Sequence, residues 1–348
     1  MPRTIVITGI PGVGTTNFCE QYDRLSISNS LIPKTYNMGE LLLQMAQGGP
    51  QNLPVSPENL LNLNPVLLNS YIDSSFANAI NEHLVERTCA RTVFDMHAQF
   101  VWNDKLISAC DWQHLNKICA DMFITLIEKP STIKDNQMKT AQGRSQDHDF
   151  RDLLMWQNAE VNITKGWADN LGKPHYVLPG QQDPRTIESL LINKFLIYFQ
   201  MPMTEASTEA DQKITAFKER LLAIGEELTG LPTPLIDPRT IDIEDSDGLS
   251  QREERTIRLQ TTYRDMDWYI GEASDLIAYY PEGMEKISKG VSDESTRGFE
   301  TGKNTFVIYP KDDYSPFMDI STRIFRTKEE FFEFWVEYVQ KRMAELRR

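Results

Sequence analysis

The feature that most constrains this chain is its start. Arg3-Thr-Ile-Val-Ile-Thr8 is a β-branched run, cut off at once by Gly9-Ile-Pro-Gly-Val-Gly-Thr-Thr16. A buried strand that runs into a glycine-rich turn and then a helix must sit inside a parallel sheet covered by helices. The turn follows the phosphate-loop pattern G-x-x-x-x-G-K-[ST] except that Thr15 stands where the lysine is expected. Gly9, Gly12 and Gly14, with Val13 between them, let backbone N–H groups converge on a phosphate at the start of the next helix, where the helix dipole favours anions. Thr16 supplies the hydroxyl that reaches a phosphate-bound Mg²⁺. The cation that would follow a transferred phosphoryl group is missing.

Further apolar strands are expected at Thr92–Asp95, Met122–Ile127 and His175–Leu178, with helices over Pro65–Val85 and Phe150–Asn170 between them. That alternation predicts helices on both faces of a parallel sheet. Asp95 closes its strand where a phosphate-loop protein places the carboxylate that serves the metal through water. A second round of alternation begins near residue 195. It has a helix over Ala210–Ile224, a strand near Pro234–Asp237, a long helix from Gln251 to Glu272, strands at Asp275–Tyr279 and Asn304–Tyr309, and a last helix from Lys328. The 348 residues thus read as two α/β domains, 1–194 and 195–348, each large enough for its own core. Phe331-Phe-Glu-Phe-Trp335 on the last helix is expected to be docked core.

Composition narrows the function classes. A net charge of -14 gives the wrong field for coating a nucleic-acid backbone, while small phosphorylated ligands need only local positive groups. No apolar run reaches the length of a membrane span, so a cytoplasmic protein with no membrane partner is expected. Cys19, Cys89, Cys110 and Cys119 make no metal-ligand spacing and read as buried thiols.

The first half resembles the archaeal type of adenylate kinase, a phosphate-loop nucleoside monophosphate kinase. The likeness is carried by the glycine loop, Tyr36-Asn-Met-Gly39, Phe94-Asp-Met-His97, Gln157, and a lid segment, Gly143-Arg-Ser-Gln-Asp-His-Asp-Phe-Arg-Asp152. That family also commonly lacks the loop lysine. The resemblance implies ATP and Mg²⁺ as cofactors, Gly9, Gly12, Val13, Gly14, Thr15 and Thr16 cradling phosphates, and Thr16 and Asp95 serving the metal. It also implies Gly39 at the acceptor and Arg144 and Arg151 as lid arginines, whose guanidinium forks suit charge spread over phosphate oxygens. Where the family carries an acceptor arginine, Leu61 and Asn62 stand here; Arg87 and Arg91 are the candidate substitutes. His97 is expected to pack against the sheet edge.

The second half carries Arg264-Asp-Met-Asp-Trp268 on the long helix and Ser288-Lys-Gly-Val-Ser-Asp-Glu294 opening a later one. It resembles the nucleoside 2-deoxyribosyltransferase superfamily, and within it the nucleoside monophosphate N-glycosidases. The resemblance implies a flavodoxin-like or Rossmann-like fold, Glu294 as the nucleophile on the anomeric carbon, and Asp265 assisting the base or orienting Glu294. It further implies Ser288 and Gly290 at the 5′-phosphate, Tyr198 supporting the nucleophile, and a dimer. Glu294 is expected in the first turn of its helix. The family's glycine-rich first loop is represented only by Gln200-Met-Pro-Met-Thr204, with no glycine.

Three functions follow. One is a nucleoside monophosphate kinase fused to a nucleotide N-glycosidase or deoxyribosyltransferase. The second is a nucleotide sensor that controls a nucleotide-depleting glycosidase in stress or phage defence. The third is a non-catalytic nucleotide-binding module of an assembly.

Overall fold

The computed structural model describes residues 3–28, 33–49, 54–86, 89–103, 105–202, 208–241, 249–283, 288–311 and 316–346. They form two compact units, one of residues 3–184 with 249–260, the other of residues 185–241 with 261–346. Residues 185–194, read from sequence as the end of the first domain, cluster with the second. The stretch 249–260 clusters with the first although it lies deep in the second half of the chain.

The first unit is built on β1 (Arg3–Thr8), β2 (Pro33–Asn37), β3 (Arg91–Met96), a side hairpin of β4 (Gln99–Trp102) and β5 (Lys105–Ser108), then β6 (Met122–Ile127) and β7 (His175–Pro179). The main sheet has the order β2-β3-β1-β6-β7. All its pairings are parallel, with Ile7 opposite both Asp95 and Ile124. The three central strands bury nearly every residue, as the uninterrupted β-branched runs require when helices cover both faces. The helices are α1 (Thr15–Ser28), α2 (Met38–Gln47), α3 (Pro65–Val85), α4 (Trp112–Ile118), α5 (Pro130–Met138), α6 (Ala141–Gln146) and α7 (Phe150–Leu171). Their starts are chemically marked. Asn37 caps α2, Asn64 caps α3 ahead of Pro65, and a reciprocal Asp149–Asp152 capping box opens α7, each satisfying N–H groups that a helix start leaves unpaired. The hairpin β4–β5, antiparallel with Phe100 opposite Ile107, was not expected from sequence.

The second unit contains α8 (Thr186–Asn193), β8 (Ile197–Gln200), α9 (Thr208–Thr229), β9 (Leu235–Ile236), part of α10 (Gln251–Tyr263), a π-helical segment (Arg264–Tyr269), α11 (Ile270–Glu272), β10 (Asp275–Tyr279), α12 (Lys289–Glu300), β11 (Asn304–Ile308), β12 (Arg323–Phe325) and α13 (Lys328–Leu346). Its sheet, β12-β11-β10-β8-β9, is parallel throughout. Counted along the chain this is the 2-1-3-4-5 order of flavodoxin-like folds, in which ligands bind beyond the carboxyl ends of the strands where the winding reverses. Here that point lies between β8 and β10.

The core of this unit is aromatic. Phe331, Trp335 and Phe325 have no exposed surface, and Phe217 stacks on Tyr279 at 4.2 Å between centroids. The Phe331–Trp335 run is therefore core, as expected. Gly298 lets α12 lie close on β10, since a Cβ there would meet the Leu276 side chain at 2.6 Å. Asp275, fully buried at the amino end of β10, accepts from Tyr338, Asn304, Ser274 and Arg342 and so ties α13 to the sheet. Cys19, Cys89 and Cys110 are buried as expected, but Cys119 is exposed, because it ends α4 in the left-handed conformation. Among the described residues no helix is long and apolar enough to cross a membrane.

Candidate functional sites

At the carboxyl edge of the first sheet, the turn after β1 puts Gly12 at φ 98° and Gly14 at φ 97°, a backbone conformation that side chains resist. Gly12 is also crowded, since a Cβ would lie 2.7 Å from the Ile133 carbonyl oxygen. The turn is braced by α5, where Asn136 donates to the Gly12 carbonyl at 2.8 Å and Gln137 to that of Pro11 at 2.7 Å. The Thr16 hydroxyl and the Asp95 carboxylate converge beside it. Thr16 Oγ1 donates to Asp95 Oδ2 at 3.1 Å, and Asn37 Nδ2 donates to both, at 3.2 and 3.3 Å. Burial raises the Asp95 pKa, opposed by the charge of His97 and by hydrogen bonds from Thr15 and Thr16. Thr15 is buried, with its methyl 2.8 Å from where a Gly9 Cβ would stand. Its side chain thus faces the protein, whereas a lysine here would have to reach outward.

Sequence reasoning missed the residue that holds this loop from below. Glu160, fully buried on α7, accepts from Ala98 N at 2.7 Å and Gln99 N at 3.2 Å, and it takes a further backbone hydrogen bond from Gly9. Burial pushes its pKa up to about 8, against those three bonds. His97 Nδ1 contacts the Gly9 carbonyl at 2.5 Å while its ring packs edge-on to Phe100, so it packs as expected and also anchors the loop. Burial lowers its pKa. On the same face of α7, Gln157 pairs with both backbone groups of Glu128 beyond β6, and Thr164 meets Thr8 at 2.9 Å. Helical spacing makes these buried positions detectable, but nothing in the sequence says what they bind.

Gly39 lines a narrow crevice with Met38, Leu42, Phe76, His97 and Phe100, whose free space of about 10 Å³ holds no more than a water. The acceptor segment carries no cation. Leu61 is buried, and Asn62 Oδ1 accepts from Trp102 Nε1 at 2.7 Å and Asn103 Nδ2 at 3.3 Å. Arg91 cannot substitute, because it opens β3 opposite Arg3, at the end of the strand remote from Asp95; Arg87 lies outside the described residues. Of the lid arginines, Arg144 donates to the Met138 carbonyl at 2.9 Å and Arg151 is exposed in the first turn of α7.

Residues 8–152 match the family model of the AAA domain. The first unit carries a P-loop, kinase-like, nucleotide-binding module. No curated protein matches the chain.

The second constellation lies where the winding of the other sheet reverses. Tyr198 belongs to β8, and Gln200 is the last residue of that strand. Tyr198 Oη donates to Glu294 Oε1 at 3.1 Å and Gln200 Nε2 to Glu294 Oε2 at 3.2 Å. Glu294 stands in the second turn of α12, not the first, because the helix already begins at Lys289 and includes Gly290. Burial pushes its pKa up to about 8, with the Asp265 charge adding to that and Tyr198, Gln200 and Arg264 opposing it. Burial, then the Glu294 charge, raises Tyr198.

Asp265 and Arg264 are buried and paired, Arg264 Nε to Asp265 Oδ1 at 2.9 Å, and Arg264 also donates to the Ile241 carbonyl. Both sit on the π-helical segment. A wider turn of this kind is common at functional sites. Ser288 caps α12 without a side-chain capping bond, and Tyr280, buried beyond β10, bonds the Ser288 backbone. Tyr198 and Gln200 thus meet at Glu294, Asp265 lies near enough for its charge to act there, and Ser288 opens the same helix. Met203 and Thr204 of the expected loop lie outside the described residues.

Proposed function

We propose a nucleotide enzyme of two modules, the second of which breaks the base–sugar bond of a nucleotide through Glu294. The observation that carries this reading is the grip on Glu294. Two donors from one strand hold both carboxylate oxygens, with an Asp265–Arg264 pair close enough to shift its ionisation. Cleavage of an N-glycosidic bond builds positive charge on the sugar, and a fixed carboxylate can trap it. Glu294 attacks the anomeric carbon as the C–N bond breaks; the bond electrons leave with the base, which takes its proton from water. Water then cleaves the glycosyl ester, or a second base does so in a transfer. The net hydrolysis is nucleotide plus water to base plus sugar phosphate. The two carboxylates differ in surroundings, as a division of roles requires. Ser288 and the first turn of α12 would face the 5′-phosphate.

In the first module, Gly9 to Thr16 would cradle the phosphates of ATP. Thr16 and Asp95 fit a magnesium ion held through water and phosphate, since that ion keeps much of its hydration and needs few carboxylates. Bound there, it would neutralise phosphate charge. The protein's own part is orientation, with Asn37 fixing both side chains and Arg144 and Arg151 available from the lid. Phosphorylation of a nucleoside monophosphate is the leading activity, with Gly39 at the acceptor. The inward-facing Thr15 and the spent Asn62 favour a second reading, in which this module senses a nucleotide and controls the glycosidase.

Incubation with ATP–Mg²⁺ and each ribo- and deoxynucleoside monophosphate, resolved by chromatography, tests both. Free base with sugar phosphate supports the glycosidase, and new diphosphate with ADP supports the kinase. ATP bound without turnover selects the sensor. Base release undiminished in Glu294→Ala removes the nucleophile.

A further inference from the structure

Gln200 is the residue of the second site that no motif marks. It is fully buried and stands two positions after Tyr198, so the strand's alternation turns both side chains to one face. Because Tyr198 and Gln200 expose no surface, they grip Glu294 from the protein side and leave its outward lone pairs for a substrate. Gln200 Oε1 in turn accepts from Ser295 Oγ at 3.4 Å, and Ser295 directly follows Glu294 on α12. An ionised carboxylate only accepts, so the amide must show it nitrogen and present its oxygen to Ser295. The helix that carries the carboxylate therefore also carries the hydroxyl that keeps the amide from turning over.

We propose that Gln200, oriented by Ser295, is a positioning residue that keeps Glu294 ionised and in the plane required for attack, an inference that rests on the glycosidase reading. The groups around Glu294 divide cleanly. Asp265 and burial oppose its charge; Arg264 and the hydrogen bonds from Tyr198 and Gln200 support it. Tyr280, also within reach of its charge, is neutral over the working range. Without Gln200 the opposing influences meet only Tyr198 and Arg264, so ionisation moves to higher pH. A hydrogen bond to a charged group is strong enough to move it by about one pH unit.

The test uses the full chain and two measurements. In base release from nucleoside monophosphates, Gln200→Met is expected to lower kcat/KM about tenfold at pH 7 and to recover above pH 9, as the acid limb moves up by about one unit. Ser295→Ala is expected to do the same about threefold, through a less ordered amide. The second measurement needs no catalysis. In a thermal double-mutant cycle at pH 8.5, Gln200→Met should cost more beside Glu294 than in the Glu294→Gln background, and at pH 5 the excess should vanish. A loss of activity equal at every pH, or an additive cycle, overturns the proposal. If wild type releases no base from any nucleotide, the glycosidase reading fails and the cycle alone decides the ionisation role. Should Gln200→Met not fold, Ser295→Ala carries both measurements with the same deciding outcomes.

Discussion

Replacing Glu294 by glutamine should make the protein more stable while removing its activity, and the gain should grow with pH. Burial raises this carboxyl from 4.5 to about 8 in the folded chain, so the unfolded chain releases its proton first. The contribution of Glu294 to stability is thus intact below pH 4.5 and is lost as pH rises toward 8. Linkage across that interval costs the wild type about 1 kcal/mol at pH 5 and about 3 kcal/mol at pH 7. Glutamine escapes this cost. Its oxygen still accepts from the Gln200 amide, and its nitrogen can donate to the Tyr198 hydroxyl, which accepts as well as donates. Glu160 titrates in the same range, but it is present in both proteins and cancels. At about 3 °C per kcal/mol for a unit of this size, the midpoint of the second unit should rise by about 3 °C at pH 5 and about 10 °C at pH 7. Differential scanning calorimetry of the two full-length proteins across pH 4.5 to 8.5 measures the difference. A gain independent of pH, or a loss at pH 8, would refute the placement of Glu294 as a half-buried, poorly ionised group.

Other outcomes follow from the same geometry. Asp265→Asn removes the charge that adds to burial in holding Glu294 protonated, so the acid limb of base release should move to lower pH even as the maximum rate falls, which a pH–rate profile reads directly. Gly12→Ala forces a side chain onto a left-handed backbone and against the Ile133 carbonyl; a loss of about 2 kcal/mol or more and no thermal shift with ATP are expected. Asp95→Asn should leave the fold intact but abolish the magnesium-dependent part of the ATP-induced thermal shift, and an unchanged shift would remove Asp95 from the metal site.

Much of this was legible because it is local. The run Arg3–Thr8 before a glycine turn, the aspartate closing Thr92–Asp95, and the helix from Gln251 to Glu272 are written in neighbouring residues. The structure keeps all three, although the last is interrupted by the π-helical turn that buries Arg264 and Asp265. What escaped depends on residues far apart in sequence. Gln200 looked like the beginning of a loop, because nothing near it says that Glu294 lies within hydrogen-bonding distance. Glu160 looked like one more acidic helix residue, since its partners follow a strand in the middle of the domain. The hairpin Gln99–Ser108 was missed for a related reason. Its second strand is mostly exposed and lacks the apolar signature of the sheet. The return of residues 249–260 to the first unit is likewise a matter of packing that no periodicity records.

The seam on α7 sets a limit on how short a working nucleotide-binding fragment can be. The family match stops at residue 152, yet Gln157, Glu160 and Thr164 fasten the ends of β6, β3 and β1, and β7 pairs with β6 only from His175 onward. During synthesis the glycine turn is made before α7 and must wait for more than a hundred further residues before Glu160 exists. A chain cut at the edge of the matched segment would keep every residue of the phosphate-loop motif and its α5 brace but lose Glu160 beneath it.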